Sequence, residues 1–234
     1  MIHCLHLSNY PILKQLELEE ALLRGDTRNW CLINEGSTPS IVMGISGKPE
    51  ELIDQEKVAQ HPLPVIKRFS GGGTVIVDED TLFVTFIFQK DFHPFPAFPE
   101  PIMKWSGALY NSFFPALTLR ENDYVIGDKK CGGNAQYIKK DRWLHHTSFL
   151  WNFKPEHMDY LLHPKKTPSY RSGRSHLDFL CGLEEHISKE AFIAGLKGAL
   201  SGISSLKDVS LEEALESSNH EMRRSTQIYS LPTL

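Results

Sequence analysis

The 234-residue sequence predicts an α+β fold with a mixed, mostly antiparallel sheet or sheets and helices packed on them. Short β-branched and aromatic runs bounded by turn residues outnumber strand–helix–strand units, and helical segments are interspersed among them. The hydrophobic content of 41% and the charged content of 23% are ordinary for a globular protein. We expect one catalytic domain over residues 1–234, with a core at 1–200 and a short C-terminal extension at 201–234.

The first part of the chain alternates short strands with two helices. Pro11 fixes the first turn of a helix, and Gly25 follows its end. Acidic residues after Pro49 favour the start of a second helix. The predicted strands are 2–7, 30–34, 41–43 and 82–88, a pair at 65–68 and 74–77, and the helices are 11–24 and 50–59.

The second part begins with a proline-rich loop at 93–101, since prolines lack the backbone donor that regular structure needs. A helix at 102–114 and three meander strands at 124–126, 129–138 and 142–153 follow. We then predict a short helix at 155–162, a basic loop at 164–173, a helix at 188–200 capped by Ser188, and another helix at 211–215.

Bulk properties exclude several classes of protein. The net charge of -4 argues against a dedicated nucleic-acid binder. The longest apolar run, 82–88, is far too short to span a bilayer, so no membrane partner is expected. The four cysteines form no CxxC pair, and the N-terminus has no secretory pattern, which favours reduced thiols and a cytoplasmic location.

Three consecutive glycines, Gly71, Gly72 and Gly73, follow Lys67 and Arg68 and lead into a β-branched run. Glycines allow backbone amides to approach a ligand closely and to form an anion-binding concavity. The motif therefore suits a small molecule that carries phosphate or carboxylate. A tight glycine-rich hairpin with two exposed cations is the alternative interpretation.

A second motif places Lys129 and Lys130 beside Gly132 and Gly133. An ammonium held near an amide-lined anion pocket stabilises charge that builds on a phosphate during phosphoryl or adenylyl transfer. A solvated surface pair of lysines is the alternative.

Together with a third motif, these segments resemble the lipoate–protein ligase A family of the biotin/lipoate ligase superfamily. Residues 67–73 are similar to the family's Arg-Arg-x-Ser-Gly-Gly-Gly, residues 128–135 to its Asp-Arg-Lys-Val-Ser-Gly-Ser-Ala, and residues 145–150 to its His-His-Gly-Thr-Leu-Leu. Asn122 and Asp123 stand where the family has Asn-Asp. The resemblance covers roughly residues 1–200 and implies a catalytic domain like that of class II aminoacyl-tRNA synthetases.

The resemblance implies roles for particular residues. Lys130 is the catalytic lysine, contacting the acyl carboxylate and the α-phosphate, and Arg68 holds phosphate. Asp123 or its neighbour places the nucleotide or a metal ion. His146 and His145 face opposite sides of a strand, so only one of them enters the site. The remaining expected contacts with acyl group or nucleotide are Ser70, Gly71, Gly72, Gly73, Thr74, Asp78, Asn122, Gly132, Asn134, Ala135 and Ser148.

The family activates lipoate or octanoate with MgATP and passes the acyl group to a lysine of a lipoyl domain. The implied cofactors are ATP and Mg²⁺, with lipoate as substrate. The implied acceptors are a 2-oxoacid dehydrogenase E2 or a glycine-cleavage H protein. Strands 74–77 and 82–88 offer an apolar tunnel for an eight-carbon chain, although the same residues also suit an ordinary core.

Four departures from the family pattern indicate a divergent subgroup: Lys67, Asp80-Thr81, Thr147 and Cys131. Little more than 30 residues follow Leu200, too few for a second core. We therefore expect that an accessory subunit completes the enzyme, that this form works alone, or that only acyl transfer remains.

Two other functions stay open. An ATP-independent octanoyl or lipoyl transferase needs a cysteine thiolate, and Cys131 is the only thiol beside the predicted site. Its alternative role is a small buried strand residue. A non-catalytic subunit that binds lipoate or adenylate is the third interpretation.

Overall fold

The computed structural model describes residues 1–162, 167–218 and 224–231. Its strands are β1 (Ile2–Ser8), β2 (Asn29–Glu35), β3 (Ser40–Met43), β4 (Val65–Lys67), β5 (Val75–Val77), β6 (Thr81–Gln89), β7 (Leu117–Arg120), β8 (Asp123–Ile126), β9 (Lys129–Ile138), β10 (Arg142–Leu150), β11 (Leu206–Val209) and β12 (Gln227–Ile228). Its helices are α1 (Ile12–Gly25), α2 (Pro49–Leu52), α3 (Gln55–Gln60), α4 (Pro99–Phe113), α5 (Pro155–Met158), α6 (His176–Phe179), α7 (Lys189–Ser201) and α8 (Leu211–Glu216).

The larger sheet has eight strands in the order β11-β1-β2-β6-β10-β9-β8-β7. β1 pairs in parallel with both β2 and β11, whereas every other pair in this sheet is antiparallel. Helices α4 and α7 pack together against the sheet, around an aromatic core that includes Phe86, Tyr110 and Phe192. The α+β class with mostly antiparallel pairing is confirmed.

The smaller sheet has the order β12-β4-β3-β5, and it corrects one predicted pairing. The strands on either side of the three glycines, β4 and β5, do not pair with each other. β4 runs parallel to β3 and β5 runs antiparallel to it on the opposite side. The glycine segment therefore passes across the end of β3 as a wide loop, rather than closing a tight hairpin.

Other differences lie in short elements. The helix expected at 50–59 is split into α2 and α3, because Ile53 leaves the helix and forms an isolated bridge to Leu161. The helix expected at 155–162 ends at Met158, and the strand expected at 142–153 ends at Leu150. The predicted loop 164–173 lies partly outside the described residues and otherwise contains a 3-10 turn at Ser169–Arg171.

The described residues after Leu200 contribute a strand to each sheet. β11 extends the large sheet beside β1, and β12 pairs with β4 beside the glycine loop. The α8 helix packs on α1 and β1. The sequence predicted only the helix in this part of the chain, because β11 and β12 are short and their residues are partly or fully exposed. Within the described part of the chain, no helix is both long enough and apolar enough to cross a bilayer.

Candidate active site

Two adjoining cavities lie between the large sheet, the small sheet and the 167–180 segment. The larger has a volume of about 620 Å³ and the smaller about 270 Å³. The residues that line both are Gly73, Thr74, Val75, Asp123, Lys130, Gly133, Ser148 and Pro168. One continuous groove is therefore walled by the glycine loop on one side and by β9 and β10 on the other.

Lys130 stands at the junction of the two cavities. Its Nζ lies 2.8 Å from Asp123 Oδ1 across the β8–β9 hairpin, and its side chain is 26% exposed. The other Asp123 oxygen accepts a hydrogen bond from the Tyr170 hydroxyl at 2.8 Å. Burial raises the pKa of Tyr170, with Asp123 as the next cause, so this hydroxyl keeps its proton. Asp123 thus connects the lysine to the segment that covers it.

Arg68 is buried and binds its own loop. Its guanidinium donates to the carbonyls of Gly71 at 2.7 Å, Gly73 at 2.8 Å and Val42 at 3.3 Å. Burial lowers the pKa of Arg68 to about 10, so it remains a cation at neutral pH. These contacts hold the loop in shape. The expected contact of Arg68 with a phosphate stays a prediction.

The His-His pair of β10 divides between two environments, as predicted. His146 lines the larger cavity and is hydrogen-bonded through Nε2 to Ser70 Oγ and through Nδ1 to Glu19 Oε2, each at 2.9 Å. His145 is fully buried on the other face, 2.8 Å from the Tyr124 hydroxyl. Burial lowers the pKa of His145 to about 3, which keeps it neutral.

The inner part of the larger cavity is apolar. It is lined by Ile12 and Leu16 of α1, Val42 of β3, Val77 of β5 and Phe83 of β6, which form one packed cluster. The strands supply the wall that the sequence predicted, and α1 supplies a further wall that it did not. Such a pocket accommodates a linear hydrocarbon chain, at about 0.8 kcal/mol for each buried CH₂.

Most of the predicted site residues converge on these cavities. The larger cavity is lined by Arg68, Gly71, Gly72, Gly73, Thr74, Asn122, Asp123, Lys130, Asn134, Ala135, His146 and Ser148, and Gly132 lines the smaller one. Ser70 is fully buried behind the wall. Asp78 lies outside both linings, because it is used in the β5–β6 turn, where it accepts from the amide of Asp80 and contacts His157.

Cys131 does not face the site. Its side chain is fully buried in the aromatic core and its Sγ contacts the Tyr124 carbonyl. The neighbouring thiol of Cys181 and burial both raise the pKa of Cys131, so it stays a protonated thiol. Of the two interpretations of Cys131, the structure supports the small buried strand residue. The residue is adjacent in sequence, but β-strand alternation turns it away.

Two residues of the site were not predicted from the sequence. Glu19 lines the larger cavity and is fully buried, and Tyr170 holds Asp123. The signal for Glu19 was a pair of glutamates, Glu19 and Glu20, among apolar residues on every side of α1. Buried carboxylates need partners, which only the folded structure supplies.

A bound Mg²⁺ was expected near Asp123. Among the described residues, no three His, Cys, Asp or Glu side chains converge on a possible metal position. Mg²⁺ in nucleotide sites is commonly held by one or two carboxylates together with substrate phosphates. The Asp123 carboxylate has lone pairs beyond those given to Lys130 and Tyr170, so it fits that limited role.

The fold and the cavities define a two-sheet domain in which an apolar pocket adjoins a polar region formed by the glycine loop, Lys130 and Asp123. Residues 11–202 match the lipoyl protein ligase A/B catalytic domain, and the chain belongs to this family.

Individual relatives agree with the family. The chain is 27% identical over 245 residues to an inactive lipoate–protein ligase 2 of Plasmodium falciparum, covering 77% of this chain and 62% of that protein. It is 33% identical over 155 residues to the lipoate-protein ligase LplJ of Bacillus subtilis, covering 64% and 46%. The match thus spans 62% of the length of the first relative and 46% of the length of the second.

The fold resembles that of a bi-partite lipoate protein ligase from Thermoplasma acidophilum, whose structural description includes its E2 lipoyl domain. The TM-score is 0.74 at 18% identity, over 92% of this chain and 89% of that one. The architecture expected from the sequence resemblance is therefore confirmed.

Proposed function

We propose that this protein activates lipoate or octanoate with ATP and transfers the acyl group to a lysine of a lipoyl domain. The observation that carries this proposal is the position of Lys130, which lines both cavities together with Gly73 of the glycine loop and whose ammonium is paired with Asp123. A catalyst of acyl adenylation needs its cation at that junction, where carboxylate and α-phosphate meet.

The apolar inner cavity receives the acyl chain. Eight carbons fit beside Ile12, Leu16 and Phe83, with the carboxylate directed toward Lys130. Thr74 lines both cavities, and its hydroxyl oxygen is buried without a hydrogen-bond partner among the described residues. A ligand oxygen at the junction provides the missing partner.

The smaller cavity receives the nucleotide. Its far wall is made by Phe179, Leu180 and the methionine of α5, Met158, and its polar side by Asp123 and Lys130. A carboxylate oxygen attacks the α-phosphorus, the bond to the β-phosphate breaks, and pyrophosphate leaves. Lys130 neutralises the oxygens that gain charge, while the covering 167–180 segment excludes water from the mixed anhydride.

The acceptor supplies the second nucleophile. Its lysine amine attacks the acyl carbon, an amide forms, and AMP departs with the bonding electron pair. The structural relative from Thermoplasma acidophilum is described together with its E2 lipoyl domain, which supports an acceptor of that kind.

A pyrophosphate-exchange assay tests this function directly. We expect exchange into ATP that depends on lipoate or octanoate but not on biotin. A mass increase of an apo-lipoyl domain in the presence of ATP then reports the transfer. Exchange that is absent with every acid, together with acid binding, supports instead a non-catalytic subunit, a possibility given weight by the inactive Plasmodium relative.

The ATP-independent transferase is disfavoured because Cys131 is buried away from the cavities. Cys131→Ser is expected to retain acyl transfer. Acyl-enzyme trapped on Cys131 without ATP overturns this preference.

A further inference from the structure

Glu19 is a fully buried carboxylate that no lysine or arginine contacts within the described residues. Its Oε2 lies 2.9 Å from His146 Nδ1, and its Oε1 accepts from Thr85 Oγ1 at 2.7 Å and from Gln15 Nε2 at 2.8 Å. All three partners lie on elements that wall the larger cavity. A buried carboxylate is tolerated where its oxygens are hydrogen-bonded in this way.

The charge of Glu19 decides where the His146 proton resides. An ionised carboxylate accepts only, so the imidazole places its N–H on Nδ1. Nε2 then carries a lone pair and accepts the proton of the Ser70 hydroxyl, 2.9 Å away. The Ser70 oxygen, in turn, accepts the Nε–H of Arg68 at 3.1 Å. In the series of hydrogen bonds from Glu19 through His146 and Ser70 to Arg68, each bond therefore has a defined donor and acceptor.

This series of hydrogen bonds ends at the glycine loop. Arg68 holds the carbonyls of Gly71 and Gly73. In a trans peptide the N–H points away from the C=O of the same unit, so the amides of Gly72 and Thr74 point away from Arg68. Neither amide has a hydrogen-bond acceptor among residues 1–162, 167–218 and 224–231. They remain available to an anionic ligand in the cavity.

Ser70, His146 and Glu19 share the hydrogen-bond order of a hydrolytic triad, but Ser70 is fully buried and outside the cavity lining. No substrate carbonyl reaches its oxygen. The arrangement positions other groups instead of attacking a substrate.

We infer that Glu19 is a positioning residue, which through His146, Ser70 and Arg68 orients the amides of the glycine loop toward the acyl carboxylate and phosphate. This inference rests on the proposed acyl-adenylating function. Glu19 also acts on Arg68 electrostatically. Burial lowers the pKa of Arg68, and the interaction with Glu19 opposes that lowering.

The adjacent Glu20 offers a matched control. It is equally buried on the same helix, but it bonds to Arg24 and to the amides of Ser225 and Thr226, away from both cavities. Glu19→Gln and Glu20→Gln each replace one carboxylate oxygen by NH₂ without changing shape. In Glu19→Gln, the side-chain amide is able to donate to His146 Nδ1, and the imidazole then carries its proton on Nε2 instead.

The test combines NMR with kinetics, at temperatures where both variants are folded by circular dichroism. We expect ¹H–¹⁵N spectra of the wild type and of Glu20→Gln to show His146 protonated on Nδ1, and those of Glu19→Gln to show loss of that tautomer. We expect Glu19→Gln to lower kcat/KM for octanoate-dependent pyrophosphate exchange at least tenfold, and Glu20→Gln to change it less than twofold.

An unchanged tautomer in Glu19→Gln, or an unchanged exchange rate with a changed tautomer, overturns the positioning role. Failure of the proposed function is separable from this result. If the wild type catalyses no exchange, the tautomer and the affinity for octanoate, measured by calorimetry, still decide the positioning role. An altered tautomer with weakened octanoate binding supports it, and an altered tautomer with unchanged binding overturns it.

Discussion

The Lys130 ammonium and the Asp123 carboxylate lie 2.8 Å apart on neighbouring strands, at the point where two cavities meet. The carboxylate limits the movement of the lysine, and Tyr170 holds the carboxylate from the other side. Under the proposed function, this pair holds Lys130 beside the position that the ligand head group would occupy. Catalysis by electrostatic stabilisation depends on such preorganisation.

Tyr170→Phe removes the hydroxyl that joins the covering segment to Asp123. A hydrogen bond to a charged group is worth roughly 1.5–3 kcal/mol, so we expect the KM for ATP to rise at least about tenfold with a smaller change in kcat. Tyr160→Phe is the control, because its hydroxyl donates to the His61 carbonyl outside the site. Equal KM values in the two variants contradict a role for Tyr170 in ordering the site.

Gly72→Ala tests the geometry of the loop. Gly72 has φ of 96°, and a Cβ there would lie 2.8 Å from an Arg68 nitrogen and 3.2 Å from the Ala135 Cβ. We expect the variant to lose at least about 90% of exchange activity, with about 1–3 kcal/mol of backbone strain. Gly127→Ala is also strained, at φ of 61°, but meets no atom within 4 Å. Its activity is expected to stay close to that of the wild type.

The length of the acyl chain tests the apolar cavity. Four additional buried CH₂ groups contribute about 3 kcal/mol, so the wild type is expected to prefer octanoate over butyrate by up to about 200-fold in kcat/KM. Val77→Phe fills part of the pocket beside Phe83 and is expected to narrow that ratio at least tenfold. The ratio of kcat/KM for octanoate to kcat/KM for butyrate does not depend on how much of the variant is folded. If Val77→Phe leaves this ratio unchanged, the acyl chain binds elsewhere.

Stability is expected to fall in mild acid because of His93. Burial among aromatic rings lowers its pKa from 6.5 to about 4, so the unfolded chain binds the proton first as the pH falls. The contribution is fully present above pH 6.5 and is lost between pH 6.5 and 4, and it amounts to about 2 kcal/mol between pH 8 and pH 5. Urea unfolding at several pH values measures it. His93→Phe should make that dependence shallower by the share of His93, while buried His145, whose pKa is lowered to about 3, still contributes. An equally steep profile in this variant contradicts the assignment.

The parts predicted from sequence were those with strong local signals. The longest apolar run of the sequence identified β6. The three glycines identified the cavity wall, because glycine residues allow backbone conformations that other residues disfavour. The two histidines were separated correctly by strand alternation alone. Lys130 became informative only through its resemblance to a family motif.

The features that could not be predicted from the sequence depend on contacts between residues far apart along the chain. The glycine loop crosses between two neighbours of β3, a pairing that no local pattern specifies. Asp78 looked like a ligand contact, yet it stabilises a turn with Thr81 and His157. Glu19 is fully buried, and two of its three hydrogen-bond partners, Thr85 and His146, lie more than 60 residues away in the sequence.

Substitution of Lys130 tests the central claim most directly. Lys130→Met keeps the length of the side chain but removes the ammonium, and Lys129→Met is the control, because Lys129 is an exposed neighbour on the same strand and lines neither cavity. In octanoate-dependent pyrophosphate exchange, the account predicts a loss of at least about 10²-fold for Lys130→Met and near-normal exchange for Lys129→Met. Wild-type exchange in Lys130→Met would contradict it.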